Sequence, residues 1–297
     1  MKKRWMAALA ALLLALQPCL ALADSMPLLF RVTDEEGHRI YLLGTIHVGR
    51  EDMYPMSDAV EKAFEEADVL AVELDMVSIM SDVTQLLKYS SLMVYGLDDD
   101  ITNHISEETY RLGIEKLGYP EFLLKRMRPI AWYSLAEEYS YGQAGLSSDW
   151  GVDYQLLSRA KAAGKAIEET ETLEAQMETL LNLPEEVMDE EIRLILENPE
   201  ESAKSIKMLV KLWQIGYRAG LEAVLTVQEE AGDTESYGEF NETLIYSRND
   251  GFEEQAKEYL KNGTTALIAI GAFHIVGEDG LAARLTRAGF LVEEIGR

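Results

Sequence analysis

The strongest constraint on this chain is a pattern that it carries twice. Residues 44–52 read Gly-Thr-Ile-His-Val-Gly-Arg-Glu-Asp, and residues 271–279 read Gly-Ala-Phe-His-Ile-Val-Gly-Glu-Asp. In both, a glycine stands three before a histidine, with Glu four and Asp five after it. Each copy follows a short apolar run, 40–43 or 267–270. Each then leads into a helical stretch and a short strand that ends in glutamate, 69–73 or 291–294. Two such β-loop-α-β units predict an α/β fold, a mixed sheet core built from two related halves.

The physics of the repeated loop points to a site. Ligands of a parallel sheet gather beyond the carboxyl ends of its strands. A glycine there lets the backbone turn sharply or approach a ligand closely. Gly44 and Gly271 fill that role, and the imidazoles three residues on, His47 and His274, are expected to converge on one point. Neutral imidazole is the commonest metal ligand, and the carboxylate of Glu73 suits the same shell. The other two histidines, His38 in a turn and His104 in a polar helix-start segment, read as ordinary structural residues.

Between the two units the pattern is helical over about 77–262, interrupted by a short core strand near 165–169. Pro129 suits the first position of a helix that carries Trp132, Tyr133, Tyr139 and Tyr141, aromatics that read as packing. Residues 202–231 read as one long helix, with Ile206, Leu209, Trp213, Tyr217, Leu221 and Val224 on a single apolar stripe. No Pro/Gly/Ser-rich linker divides the chain, so residues 24–297 read as one domain.

The first 23 residues have the marks of a signal peptide. Lys2, Lys3 and Arg4 precede an apolar run too short to span a bilayer comfortably, and Ala21 and Ala23 flank Leu22 as a peptidase site requires. An uncleaved anchor is the alternative. Cys19, the single cysteine, lies inside this leader, so the mature chain has no disulfide or thiolate chemistry and a packed core must stabilise it. The expectation is a secreted or periplasmic protein without a transmembrane helix. Three of the 27 basic and none of the 53 acidic residues fall in the leader, which leaves the mature chain at −29. Such a field repels phosphate backbones and argues against nucleic acid as a partner.

The run Tyr-Leu-Leu-Gly-Thr-Ile-His-Val-Gly at 41–49, the Val-Glu-Leu at 72–74 and the late Gly-x-x-His block resemble the TraB/GumN family, which includes the Tiki proteins. Further landmarks resemble that family in order: Arg128-Pro129 with Trp132, Gly151-Val152-Asp153 with Leu156-Leu157, Glu171-Thr172 with Gln176, and Arg248-Asn249. Thr170 departs from the pattern, standing where leucine is usual. The resemblance implies an α/β core with helical insertions and, for its Tiki members, metal-dependent proteolysis. Carried over, His47, His274 and Glu73 become candidate ligands of a divalent ion, with Mn, Co and Zn not distinguished. Glu73 and Glu171 become candidate general bases and Arg248 an electrophile or carboxylate clamp, with Asp153 and Asn249 orienting the site. Simpler roles stay open: Glu73 paired with Arg248, and Asp153 and Glu171 as helix caps. The function implied is an exported hydrolase that cuts peptide or protein substrates with metal-activated water. The architecture also resembles two other classes: erythromycin-esterase-type enzymes, in which a histidine is the base without metal, and ChaN-type haem-binding proteins.

Overall fold

The protein is represented by a computed structural model that describes residues 27–231 and 234–295. The leader expected over residues 1–23 lies outside the described residues. Six strands form one sheet: β1 (Leu29–Thr33), β2 (Arg39–Thr45), β3 (Val69–Val72), β4 (Ala166–Glu169), β5 (Ala266–Gly271) and β6 (Leu291–Glu294), in the order β4-β3-β5-β2-β1-β6. β1 and β2 make a hairpin whose turn is tied by Asp34 Oδ1, which accepts from the backbone N–H of Glu36 and of His38. β4, β3, β5 and β2 are mutually parallel, and β1 runs against both of its neighbours. The sheet is mixed, as the sequence implies.

The two echoing units interleave instead of lying side by side. From β2 the chain passes through the helix Asp58–Glu66 to β3, crossing over β5. From β5 it passes through the helix Leu281–Arg287 to β6, crossing over β2 and β1. This leaves β2 and β5 as direct neighbours, with Thr45 opposite Gly271. β5 reads Ala-Leu-Ile-Ala-Ile-Gly, and its first five residues are buried. A central parallel strand is covered on both faces, which explains the missing alternation. Around it pack Leu42, Leu43, Leu70, Phe64, Leu156 and Phe252, each contributing roughly 1.5–3 kcal/mol of burial.

Between β3 and β5 the elements among the described residues are helices apart from β4. The helix Pro129–Ala144 starts on Pro129 as expected and buries Trp132, whose Nε1–H donates to the Leu124 carbonyl at 2.8 Å. The single long helix expected over 202–231 is two, Pro199–Gln214 and Arg218–Ala231. The break falls at Gly216, whose φ of 57° lies in the left-handed region that ends helices. The apolar stripe survives the break: Trp213 and Leu221 are both buried in the main core. No helix among the described residues is long and apolar enough to cross a membrane.

Candidate active site

The parallel order β2-β5-β3-β4 delivers four expected residues to one rim. His47 lies two residues beyond β2, His274 three beyond β5, Glu73 one beyond β3 and Glu171 two beyond β4. Glu171 reaches Glu73 through the departure noted above. The Thr170 N–H and hydroxyl both donate to the Val72 carbonyl, at 2.7 and 3.0 Å, and the Glu171 N–H donates to the Glu73 carbonyl at 3.2 Å. This extends the β3–β4 pairing by two residues. Glu171 caps nothing; Thr172 is the cap of the following helix.

His47 belongs to a dyad. Its Nδ1 lies 2.7 Å from Asp153 Oδ2, and the Thr45 hydroxyl donates to Asp153 Oδ1. The cap of the helix Val152–Ala163 is Gly151, so Asp153 is free of that duty and turns to the histidine. Its position is set by close backbone packing: the Val152 N–H donates to the Ile46 carbonyl at 2.8 Å, and Gly49 pairs with Ser147. A Cβ on Gly151 would sit 2.4 Å from the His47 carbonyl oxygen. Gly151→Ala is therefore expected to push the His47 loop off Asp153 and to cost about 1–3 kcal/mol, read as a lowered Tm. An unchanged Tm would show that the loop yields freely. Asp153 raises the pKa of His47, and its hydrogen bond adds to that against the cost of burial. The ring is 68% exposed, so water screens part of this field, but the direction is upward. The other nitrogen, Nε2, has no hydrogen-bond partner among the described residues.

Arg248 fills the middle of the rim. Its Nη2 lies 2.6 Å from Glu73 Oε2 and 2.5 Å from Glu171 Oε2, while Nε donates to Glu171 Oε1 at 2.8 Å. Its Nη1 donates to the Leu244 carbonyl at 2.9 Å and lies 3.1 Å from His274 Nε2. The guanidinium is 8% exposed, and the two carboxylates are 13% and 11% exposed. Asn249 fixes the tautomer of His274. Its Nδ2 donates to the Asp279 carbonyl at 2.9 Å, so its Oδ1, 2.8 Å from His274 Nδ1, accepts the ring proton. Nε2 is thus the acceptor that Arg248 meets. Burial, with the Arg248 charge alongside, pushes His274 down to about 4, and the ring is neutral at physiological pH. Burial alone would raise Glu73, but His274, Arg248, His47 and the Gly271 N–H, which donates to it at 2.7 Å, hold it at about 2.

The two echoing loops differ once folded. Neither Gly44 nor Gly271 has a positive φ, so neither uses the left-handed freedom that glycine offers for a sharp turn. Gly44 is small because Ala272 packs on it, with a Cβ there only 3.1 Å from the Ala272 Cα, and Gly271 offers its N–H to Glu73. Of the acids that end each loop, Asp52 pairs with Arg50, and Asp279 with Arg284 and Arg287. The expected set therefore separates into two parts, a His47–Asp153 dyad and a Glu73–Arg248–Glu171–His274–Asn249 cluster.

A divalent ion was the cofactor implied for this rim. The Nε2 lone pair of His274 and Oε2 of Glu73 both face the Arg248 guanidinium, and Glu171 is turned to it as well. Among the described residues, no three His, Cys, Asp or Glu side chains gather as a metal-binding group. As arranged, these donors fit the guanidinium they hold and not a metal ion.

One residue of this rim has no counterpart in the sequence reading. Tyr133, Glu137 and Tyr141 lie four apart on the helix Pro129–Ala144 and share a face. The hydroxyls of both tyrosines and the charge of His47 act to hold Glu137 down, but its enclosure outweighs them and pushes it up to about 7. The tyrosines do pack against apolar neighbours as expected, but their hydroxyls also serve this carboxyl. A carboxylate centred between two tyrosines at helical spacing is the signal that would have found it.

A profile of the TraB/PrgY/gumN family matches residues 28–294. The chain belongs to that family. It is 25% identical over 263 residues to the uncharacterized protein YbaP of Escherichia coli K12, covering 86% of this chain and 90% of the relative. YbaP of Shigella flexneri, also described as uncharacterized, is 25% identical over 254 residues, covering 82% and 87%. No solved structure matches.

Proposed function

We propose that this member of the TraB/PrgY/gumN family is an acyl hydrolase, cutting a peptide or ester bond with His47 and Glu137 as its proton-transfer pair. The contact that carries this reading is His47 Nδ1 on Asp153 Oδ2 at 2.7 Å, which leaves Nε2 toward solvent. Asp153 keeps the imidazolium charged through neutral pH, so His47 is suited to give a proton. Glu137, at about 7, is suited to take one. Two groups whose surroundings separate their proton affinities in this way divide the acid and base roles. Glu137 takes a proton from water, the water oxygen attacks the carbonyl carbon, and His47 Nε2–H protonates the departing nitrogen or oxygen. Arg248 is spent on Glu73 and Glu171, so it holds the rim together and does not meet substrate. The reading includes export by the leader, and the protein recovered outside the cytoplasm should begin at Asp24 by N-terminal sequencing.

The test is turnover of a peptide library and of an ester panel before and after chelation and dialysis. Turnover that survives chelation is the expected result. Loss on chelation, restored by Mn, Co or Zn, would overturn the metal-free arrangement and return His47, His274 and Glu73 to the role of ligands. A folded protein that turns over neither panel would remove the hydrolase reading altogether.

A further inference from the structure

Outside the residues assigned to the rim, the segment between Tyr95 and Arg128 builds a second polar feature. The Arg128 guanidinium stands over the Tyr95 ring at 4.7 Å, and His104 stacks on the same ring at 4.6 Å with 12° between the planes. The two arginines of this segment are used differently. Arg126 gives Nη1 to the Asp99 carbonyl and Nη2 to the carbonyls of Tyr95 and Gly96, and so ties the loop together. Arg128 gives only Nε, to the Val94 carbonyl at 3.3 Å. Its two terminal nitrogens have no acceptor among the described residues. Arg128 borders a cleft of about 280 Å³ that Ile130, Leu181, Leu183 and Met188 also line.

The carboxylates at this cleft do not compete for that guanidinium. His104 bridges two of them, with Nε2 at 2.9 Å from Asp99 and Nδ1 at 2.6 Å from Glu185. Asp99 Oδ1 also accepts from the Asp100 N–H and from Asn103 Nδ2, both at 2.8 Å. Asp98 is exposed, where water screens its charge. What remains is a planar fork, held in place by an aromatic face, beside an apolar wall. A guanidinium of this kind matches a carboxylate with two parallel hydrogen bonds, and its fixed orientation lowers the entropy lost on binding.

We propose that this cleft binds a small carboxylate with an apolar body, its acid group on Arg128 and its apolar part against Leu181, Leu183 and Met188. The ligand is either a free acid or the C-terminal residue of a peptide, since both present the same chemistry. The site stands apart from the hydrolase reading, and neither depends on the other.

Calorimetric titration of the full chain with N-acetyl-L-leucine, and with its neutral amide, tests the site. The acid should bind and the amide should not. Arg128→Gln should weaken the acid at least tenfold, the loss expected for one charge-assisted pair, with circular dichroism unchanged. Should Arg128→Gln fail to fold, Leu181→Trp fills the cleft from a partly exposed position and should abolish binding. Pentapeptides ending in leucine, with free or amidated termini, separate the sources: tighter binding of the free-terminus peptide than of N-acetyl-leucine identifies a peptide end, and the reverse a free acid. Equal binding of acid and amide, no binding of either acid or free-terminus peptide, or affinity unchanged in both folded variants overturns the proposal.

Discussion

Asp153→Asn is expected to lower kcat by about 10²–10⁴-fold, the range for a lost proton-transfer group, with KM little changed and the fold intact by circular dichroism. The reason is electrostatic. Asparagine preserves the shape beside His47 Nδ1 and Thr45 but removes the charge that raises the imidazole. Its folded pKa then falls back toward the ordinary value near 6.5. As His47 is assigned the acid role, turnover should be lost above its pKa, so the alkaline limb of the pH–rate profile moves to lower pH. His47→Ala should remove that limb entirely. The stability effect has the matching sign. A raised histidine pKa adds stability that is complete below about 6.5 and is lost as pH rises through the folded value; Asp153→Asn should erase that slope. An alkaline limb that stays in place in Asp153→Asn would mean that His47 is not the acid.

How much of this was legible in the sequence can be followed residue by residue. The echo located His47 and His274 because strand, glycine and histidine recur at fixed spacing, and spacing survives folding when β2 and β5 become neighbours. It did not show that the loops diverge, since that depends on what packs on each glycine: Ala272 on Gly44, and the carboxylate of Glu73 on the Gly271 N–H. The sequence leaves Asp153 and Glu171 open between capping and site roles. A neighbour takes the capping role from each, since Gly151 and Thr172 occupy the cap positions. The break at Gly216 was hidden by a stripe that continues across it. Glu137 is hidden in the sequence because Tyr133 and Tyr141 share their helix with apolar residues and read as packing. Residue type alone cannot separate a tyrosine that only packs from one that packs and also acts on a carboxylate.

The guanidinium at the centre of the rim sets the second large effect. Arg248→Leu should destabilise the protein by about 3–5 kcal/mol at neutral pH, because it leaves two largely enclosed carboxylates facing each other without a cation. The contribution of this cluster to the pH dependence should also change sign. In the native protein Glu73 is held at about 2 against an ordinary 4.5, which is roughly 3 kcal/mol of stability. A depressed carboxylate contributes that stability above about 4.5 and loses it as pH falls toward 2. His274, held at about 4, works in the same direction, because the unfolded chain takes up its proton first as pH drops from about 6.5. In Arg248→Leu the two carboxylates repel, so Glu73 is pushed up past its ordinary value instead of being held below it. Its contribution is then present at acid pH and lost as pH rises. Denaturant midpoints at pH 7 and pH 5 read the difference between the two proteins, in which the contributions of His47 and Glu137 are common to both: Arg248→Leu should fall further below the native protein at pH 7 than at pH 5. Adding Glu171→Leu removes one of the two repelling charges and should recover part of the loss at pH 7. If Arg248→Leu instead keeps the native midpoint and the native slope, Glu73 and Glu171 are held by something other than this cation.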